Sequence, residues 1–393
     1  MNAQDVCRLN PMDYDKSRAL WEEIFTDDTK EFLDYYYEYC TRENLIYGIM
    51  DDKRKLLSMA QFNPYKVHLG ETTVDAHYIV AVATRPEARH QGMMRRILHQ
   101  ALSDGYDRNE AFMFLMPAAE AIYKPFDFET VYGQKSMIIH KTQCPEMNGG
   151  NQIQIQEAGE EDLLCLAELS ESLLGARYRV YTVRTEDYMK RLQKEQESEH
   201  GGILIFWAEG RPVGYCFSAI EETPQIRELL CNPEYEEAVL PALFSYYNKK
   251  GVFESGQDET ITITAFSNHF PKFLKEESKN EDCRIKTASR IMVRIIHLES
   301  FASCLRSREP VSFTIRTKDR ILPGNQGVFR FDLDEHRGCA LPIAECGEEE
   351  IDAVLTVAEL ARLFFGVDAG TEADCLPLSR IHLFDQVFLD EIV

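Results

Sequence analysis

The amino-acid sequence predicts a mixed α/β (α+β) chain in three consecutive parts, and three observations predict it. An apolar strand, a glycine turn, an amphipathic helix and a second apolar strand follow one another between Tyr78 and Phe128. The order of strands and helices met before residue 145 recurs after residue 151. Beyond Ala288, two alternating strands precede a helix with its own start signal. A mixed sheet with crossover helices is what such an order gives.

In the first part, Val6 to Leu9 reads as a short strand, and Asp13 to Phe25 and Asp28 to Cys40 as two helices, the second rich in tyrosine. Asn44 to Met50 and Lys55 to Phe62, joined by the polar turn Asp51 to Arg54, predict a hairpin. Val67 to Leu69 reads as the start of the following strand, paired to a long one at Thr73 to Thr84. The β-branched run Tyr78 to Thr84 is apolar enough to be buried. After Gly92, the residues Met94, Ile97, Leu98, Ala101 and Leu102 line one face at helical spacing. Ala111 to Met116 is a strand, a turn of helix surrounds Tyr123, and Val131 to His140 closes the set.

The polar stretch Thr142 to Gln152, with Pro145, Gly149 and Gly150, reads as a linker. Past it come a strand at Ile153 to Gln156 and helices at Glu160 to Leu173 and Thr185 to Glu195. A hairpin over Gly202 to Ala208 and Val213 to Ala219 follows, then a strand at Ile226 to Cys231, a helix at Glu234 to Lys249 and a strand at Thr260 to Phe266. The third part opens with a strand running into a helix at Ser289 to Leu305. It continues with strands at Val311 to Thr317 and Gly327 to Leu333. Thr356 and Glu359 form a capping box for a helix that Gly366 ends. A further helix is predicted around Leu378 to Val387, leading into the apolar end FLDEIV. The expected division is therefore 1–145, 151–287 and 288–393.

Composition narrows the function classes. At 393 residues the chain has ample length for several cores. With 44% hydrophobic residues and no apolar run near 18, it predicts a protein without a membrane span. The N-terminal stretch has neither the basic nor the apolar region of a signal peptide. The 11 cysteines are an odd number with no C-x-x-C pair. Together these point to a cytoplasmic protein with reduced thiols, and the cysteine and histidine spacings suggest no metal site. A net charge of −23 repels nucleic acid and anionic membranes and favours a cationic partner.

The chemistry concentrates in AVATRPEARHQGMMRR. A strand that runs through glycine into a helix start leaves unpaired backbone N–H groups pointing one way, with the helix dipole behind them. Such a turn suits a phosphate or pyrophosphate, although an ordinary βα turn uses glycine in the same way. Arg89, His90, Arg95 and Arg96 add donors and positive charge. In the second part the corresponding NPEYEEAVLPAL has no glycine and carries Glu234, Glu236 and Glu237, which would repel a pyrophosphate.

AVATRPEARHQGMMRR resembles the acyl-CoA-binding motif of GNAT-superfamily N-acetyltransferases. Met94 stands where that motif has glycine or alanine, a departure similar to that of the Eis (enhanced intracellular survival) acetyltransferases. AAEAIYKPFDF resembles the Eis segment that carries a tyrosine general acid. The resemblance implies two tandem GNAT-like mixed-sheet domains followed by a sterol-carrier-protein-like domain, the second copy having lost its cofactor site. It implies acetyl-CoA as co-substrate, held by Val82, Ala83, Thr84, His90, Gln91, Gly92, Met93, Met94, Arg95, Ala118 and Ala119. It implies catalysis by Tyr123 as acid and by the α-carboxylate of Val393 as base. The acceptor it implies is a cationic amine, either an aminoglycoside-like polyamine or a lysine side chain, and the assembly a hexamer of two trimers. The alternative class is a non-catalytic acyl-CoA-binding or assembly protein, since one of the two copies lacks the motif.

Overall fold

The computed structural model describes residues 5–144, 153–220, 223–253, 259–266, 285–344, 347–368 and 375–391. Alternation in the strands and 3.6-residue spacing in the helices place the apolar residues of each element on one side, and the layers follow from that. The first part runs β1 (Val6–Arg8), α1 (Tyr14–Ile24), α2 (Lys30–Tyr35), β2 (Leu45–Met50), β3 (Leu56–Leu69), β4 (Thr72–Thr84), α3 (Met93–Asp107), β5 (Phe112–Leu115), α4 (Glu120–Tyr123) and β6 (Glu129–His140). The second runs β7 (Gln154–Glu157), α5 (Leu163–Gly175), β8 (Val180–Thr182), α6 (Glu186–Ser198), β9 (Gly202–Ala208), β10 (Arg211–Ile220), β11 (Pro224–Cys231), α7 (Glu236–Lys249), β12 (Thr260–Phe266) and β13 (Lys286–Ile295). The remainder holds α8 (Leu298–Ala302), β14 (Val311–Lys318), β15 (Gly327–Leu333), β16 (Gly338–Ile343), β17 (Ala353–Thr356), α9 (Val357–Phe364) and β18 (Val387–Phe388).

The first two parts share one sheet, ordered β1-β2-β3-β4-β5-β13-β6-β12-β11-β10-β9-β7. It reads alike from either end. In each copy the inner pair, β4 with β5 and β11 with β12, is parallel. Between these pairs the copies exchange their last strands: β13 lies antiparallel against β5, and β6 antiparallel against β12. The two exchanged strands also pair with each other. A boundary at residue 287/288 would therefore fall inside β13, a strand that completes the first copy's sheet. Ile291, Met292, Val293 and Ile295 are fully buried there, which is what holds the exchange in place.

The repeat extends to irregular features. Met59 pairs with Ala83 but Gln61 with Val80, so β4 carries a bulge, with Ala81 at φ 50°. Tyr215 pairs with Leu230 but Phe217 with Arg227, so β11 carries the corresponding bulge, with Glu228 at φ 53°. Left-handed φ at a residue other than glycine is costly and is kept only where the surroundings impose it. The copies differ beside the bulge. Pairing of β4 with β5 stops at Ile79 and Leu115, before the bulge, whereas β11 stays paired to β12 through Leu229 and Phe266, past it.

The third part adds a four-stranded sheet, β16-β15-β14-β17, on which α9 lies. Phe313 and Phe331 stack at 5.1 Å on its inner face. The Thr356 and Glu359 capping box starts α9, and Gly366 follows its end at φ 71°. Arg294 of β13, fully buried, donates to the Phe126 carbonyl and the Asp319 carboxylate, both at 2.8 Å, so one guanidinium ties the first sheet to the third part.

Three sequence expectations are corrected. Val67 to Leu69 ends β3 and starts no new strand, because β3 runs unbroken to the turn at Gly70. The predicted helix Asp28 to Cys40 is α2 followed by a π-helical turn, Tyr36–Cys40, in which the Thr41 N–H donates to the Tyr36 carbonyl. That shift leaves the Tyr36 hydroxyl among Asn44, Gln61 and Asn63. The helix predicted around Leu378 to Val387 is a single 3-10 turn, Leu378–Arg380, followed by extended chain. Its backbone bonds elsewhere: the Gln386 carbonyl accepts from Arg179 and Val180, and β18 pairs with β8. The predicted linker keeps a 3-10 turn at Lys141–Gln143, and residues 145–152 lie outside the described residues.

Candidate active site

Where β4 and β5 part, the sheet opens. On one side of the opening stands the last stretch of β4, with Val82 and Thr84 half-buried and Ala83 buried. Its outer edge remains paired to β3 through Ser58 and Met59, and Ser58 Oγ donates to the Ala83 carbonyl at 3.0 Å. The inner edge is free of β5, so backbone groups of this strand face the gap.

The chain leaves β4 through a 3-10 turn at Pro86–Ala88, and Arg89 Nε returns to the Thr84 carbonyl at 3.2 Å. His90 (φ 61°) and Gly92 (φ 72°) are both left-handed, which turns the backbone sharply into α3. Gly92 is the N-cap and offers no side-chain cap, so nothing from its own side chain occupies the first N–H groups of a 15-residue helix. A Cβ placed at Gly92 would meet nothing within 4 Å: the space before the helix start is open. His90, Gln91 and Arg95 are exposed around it and Met94 is half-buried, while the Met93 side chain is buried behind α3. Met93 can thus present only its backbone to this space. The second copy has no such turn. Tyr235 is buried at the head of α7, and Glu236 and Glu237 fill the first helical turn.

Across the gap, Ala118 and Ala119 are exposed on the turn into α4, and Tyr123 is its last residue. Tyr123 is buried among Leu115, Phe126 and Phe128, its ring edge-on to Phe128 at 6.1 Å. That burial pushes its phenol up to about 12. Tyr78, on β4 just before the bulge, lies close enough to sense it. Burial, then the charge of Glu391, raise the Tyr78 phenol strongly; a backbone hydrogen bond at Met116 opposes this, and Tyr123 and Asp390 add to the rise.

Glu391 and Asp390 bring in the chain's far end. Val393 lies outside the described residues, but Phe384 and Val387 to Glu391 are buried. Phe388 packs on Tyr178 (4.9 Å) and Tyr132 (6.4 Å). The Glu391 carboxylate accepts from Thr182 Oγ1 at 2.5 Å and from the Tyr188 hydroxyl at 2.9 Å, with Arg184 at 3.9 Å. Arg184 in turn pairs with Glu228, the residue of the second copy's bulge, at 2.9 Å. Asp390 accepts from Gln134 and lies 3.7 Å from Arg227. Its carboxyl is pushed up to about 7, first by burial, against the pull of Arg227. The second copy has thus filled its own bulge with a buried ion pair, and that pair seats the tail. Sequence reasoning passed over Tyr78, Arg184, Glu228, Asp390 and Glu391. The one available signal was two adjacent carboxylates inside an otherwise apolar end, FLDEIV.

Residues 5–131 match the family described as acetyltransferase (GNAT) domain. No curated protein sequence matches the chain. A conserved protein from Enterococcus faecalis V583, described as a probable N-acyltransferase, superposes with TM-score 0.81 at 17% identity over 100% of both chains. A GCN5-related N-acetyltransferase from Kribbella flavida gives 0.74 at 16% identity over 98% of this chain and 96% of its own. Eis1 from Mycobacterium abscessus gives 0.63 at 12% identity over 98% and 96%. At these identities the likeness is one of fold, and it spans the whole chain.

Proposed function

With an acyltransferase domain as the premise, we propose that this protein is an acetyl-CoA-dependent N-acetyltransferase of the Eis kind, acting on a cationic amine by direct transfer. The observation that carries the proposal is the gap beside the β4 bulge, with an uncapped glycine helix start on one side and Tyr123 on the other. The pyrophosphate would rest on the backbone at Gly92 and on His90, Gln91, Met94 and Arg95, and the pantetheine arm would run along Val82 to Thr84 toward Ala118 and Ala119. In the reaction the protonated acceptor loses a proton to a carboxylate, for which we assign the α-carboxylate of Val393. Its nitrogen attacks the thioester carbon, and backbone N–H groups of the opened β4 edge stabilise the oxyanion. The C–S bond then breaks, the thiolate takes a proton from Tyr123, and the extra proton on the acylated nitrogen returns to the phenolate. A free α-carboxyl titrates at about 3.3–3.7, so burial must raise it for this task; the burial of the tail through Glu391 supports that.

The same reading divides the chain into a catalytic copy, a copy that seats the tail, and a sterol-carrier-protein-like third part, with a hexamer as the assembly. Thiol release from acetyl-CoA with a panel of amines tests the activity. Gly92→Glu tests the site: its side chain enters the open space with negative charge and a strained φ, so acetyl-CoA affinity should fall at least tenfold in a folded protein. Unchanged affinity by calorimetry would overturn the cofactor assignment.

A further inference from the structure

Arg191 of α6 differs from five other buried or half-buried arginines. Arg184 pairs with Glu228, Arg227 with Glu195, Arg294 with Asp319, Arg85 with Glu23 and Arg177 with Glu236. Arg191 has aromatic neighbours instead: its guanidinium lies 4.7 Å from the Tyr65 ring centroid and 5.2 Å from that of Tyr188. Among the described residues no carboxylate pairs with it and no acceptor takes its N–H groups. It is half-buried, and none of its nitrogens is among the sealed, unsatisfied atoms, whereas Arg184 and Arg227 each have such a nitrogen. A guanidinium held on rings through its π-system keeps its hydrogen-bonding edge for another group.

Its position gives that edge a meaning. Tyr65 is in ring contact with both Tyr188 and Tyr78, and Tyr188 donates to Glu391. Tyr35 and Cys40, on the tyrosine-rich early helix, also feel the Arg191 charge, and the Glu391 carboxylate acts on Arg191 from beyond pairing distance. Arg191 therefore stands two ring contacts from Tyr78, on the wall where α2, β3, α6 and the tail meet. The Tyr65 and Tyr188 faces that could hold an acceptor's ammonium are already taken by this arginine.

We infer that Arg191 receives a carboxylate of the acceptor, so that the substrate is an amino acid or short peptide carrying both an amine and a carboxylate, and not a polycation. The inference rests on the acyltransfer reading above and narrows it. Coulomb's law supplies the discrimination: a second ammonium brought to Arg191 is repelled, and a carboxylate there gains a bidentate, charge-assisted pair.

The experiment compares kcat/KM by thiol release for lysine, its decarboxylated analogue cadaverine, phosphoethanolamine and the aminoglycoside kanamycin. Arg191→Gln and Arg191→Lys are assayed alongside, with melting curves and calorimetric titration of each amine onto the CoA-bound protein. Lysine should exceed cadaverine at least tenfold in the natural protein. That ratio should collapse in Arg191→Gln and partly survive in Arg191→Lys, with the KM for acetyl-CoA unmoved. Cadaverine or kanamycin turned over as well as lysine, phosphoethanolamine preferred to lysine, or a ratio indifferent to Arg191→Gln would overturn the inference alone. Carboxylate-dependent binding with no thiol release from any amine would support it and overturn the acyltransfer reading. If Arg191→Gln does not fold, the substrate comparison in the natural protein still decides.

Discussion

Tyr123 shows how a residue's surroundings set its chemistry. Its phenol is pushed up to about 12 by burial among Leu115, Phe126 and Phe128, so it stays protonated throughout the neutral and mildly alkaline range. A phenol is active as an acid only below its pKa, so raising the pKa extends the active form to higher pH. Tyr123→Phe keeps the ring contact with Phe128 and removes the proton. Turnover should fall about 100-fold or more, with acetyl-CoA affinity within twofold of the natural value. The natural enzyme should show no alkaline loss of kcat below about pH 10 that the Phe variant lacks. A variant that turns over at the natural rate would remove Tyr123 from the mechanism. The tyrosine was legible in AAEAIYKPFDF only through resemblance; its burial was not, because Phe128 and the α3 face come to it through the fold.

At the level of elements, the pieces with local signals are legible and the short or remotely decided ones are not. α3 announced itself by its apolar face and α9 by its capping box, both local signals. β8 carries too little pattern in its three residues to be read, and the tail reads as a helix because LFDQVFL has helical spacing as well as apolar content. What decides its conformation is remote: β18 lies beside β8, which in turn pairs with β3. The tail supports a direct test. Extending the chain beyond Val393 takes the α-carboxylate away from that residue and adds chain beyond the buried segment that ends at Glu391, so turnover should be abolished with little change in Tm. Val393→Leu keeps the carboxylate and should retain activity. A C-terminally extended protein of full activity would deny the chain end a chemical role.

On the scale of the whole molecule, the recurrence of elements was readable, but not that the copies trade their final strands. Nothing local in the sequence at Ser289 to Ile295 says which sheet that strand joins; its side chains suit any buried, two-faced position. The structure gives it to the first copy, between β5 and β6. A fragment of residues 1–145 therefore lacks an internal strand. It should remain unfolded or aggregate when expressed alone, and recover when residues 151–393 are co-expressed. A fragment that is monomeric, cooperative in melting and able to bind acetyl-CoA would show that the exchanged strand is dispensable.

The exchange also sets a clock. On the ribosome, β6 emerges about 150 residues before the end of β13. At 5–20 residues per second, the nascent first copy waits roughly 10–30 s with the facing edges of β5 and β6 unpaired. Edges left open for that long recruit other strands, including those of neighbouring nascent chains. The β5 edge that faces β6 is thus the last part of the first copy's sheet to be completed, and slower synthesis through residues 141–295 lengthens the time for which it stands open.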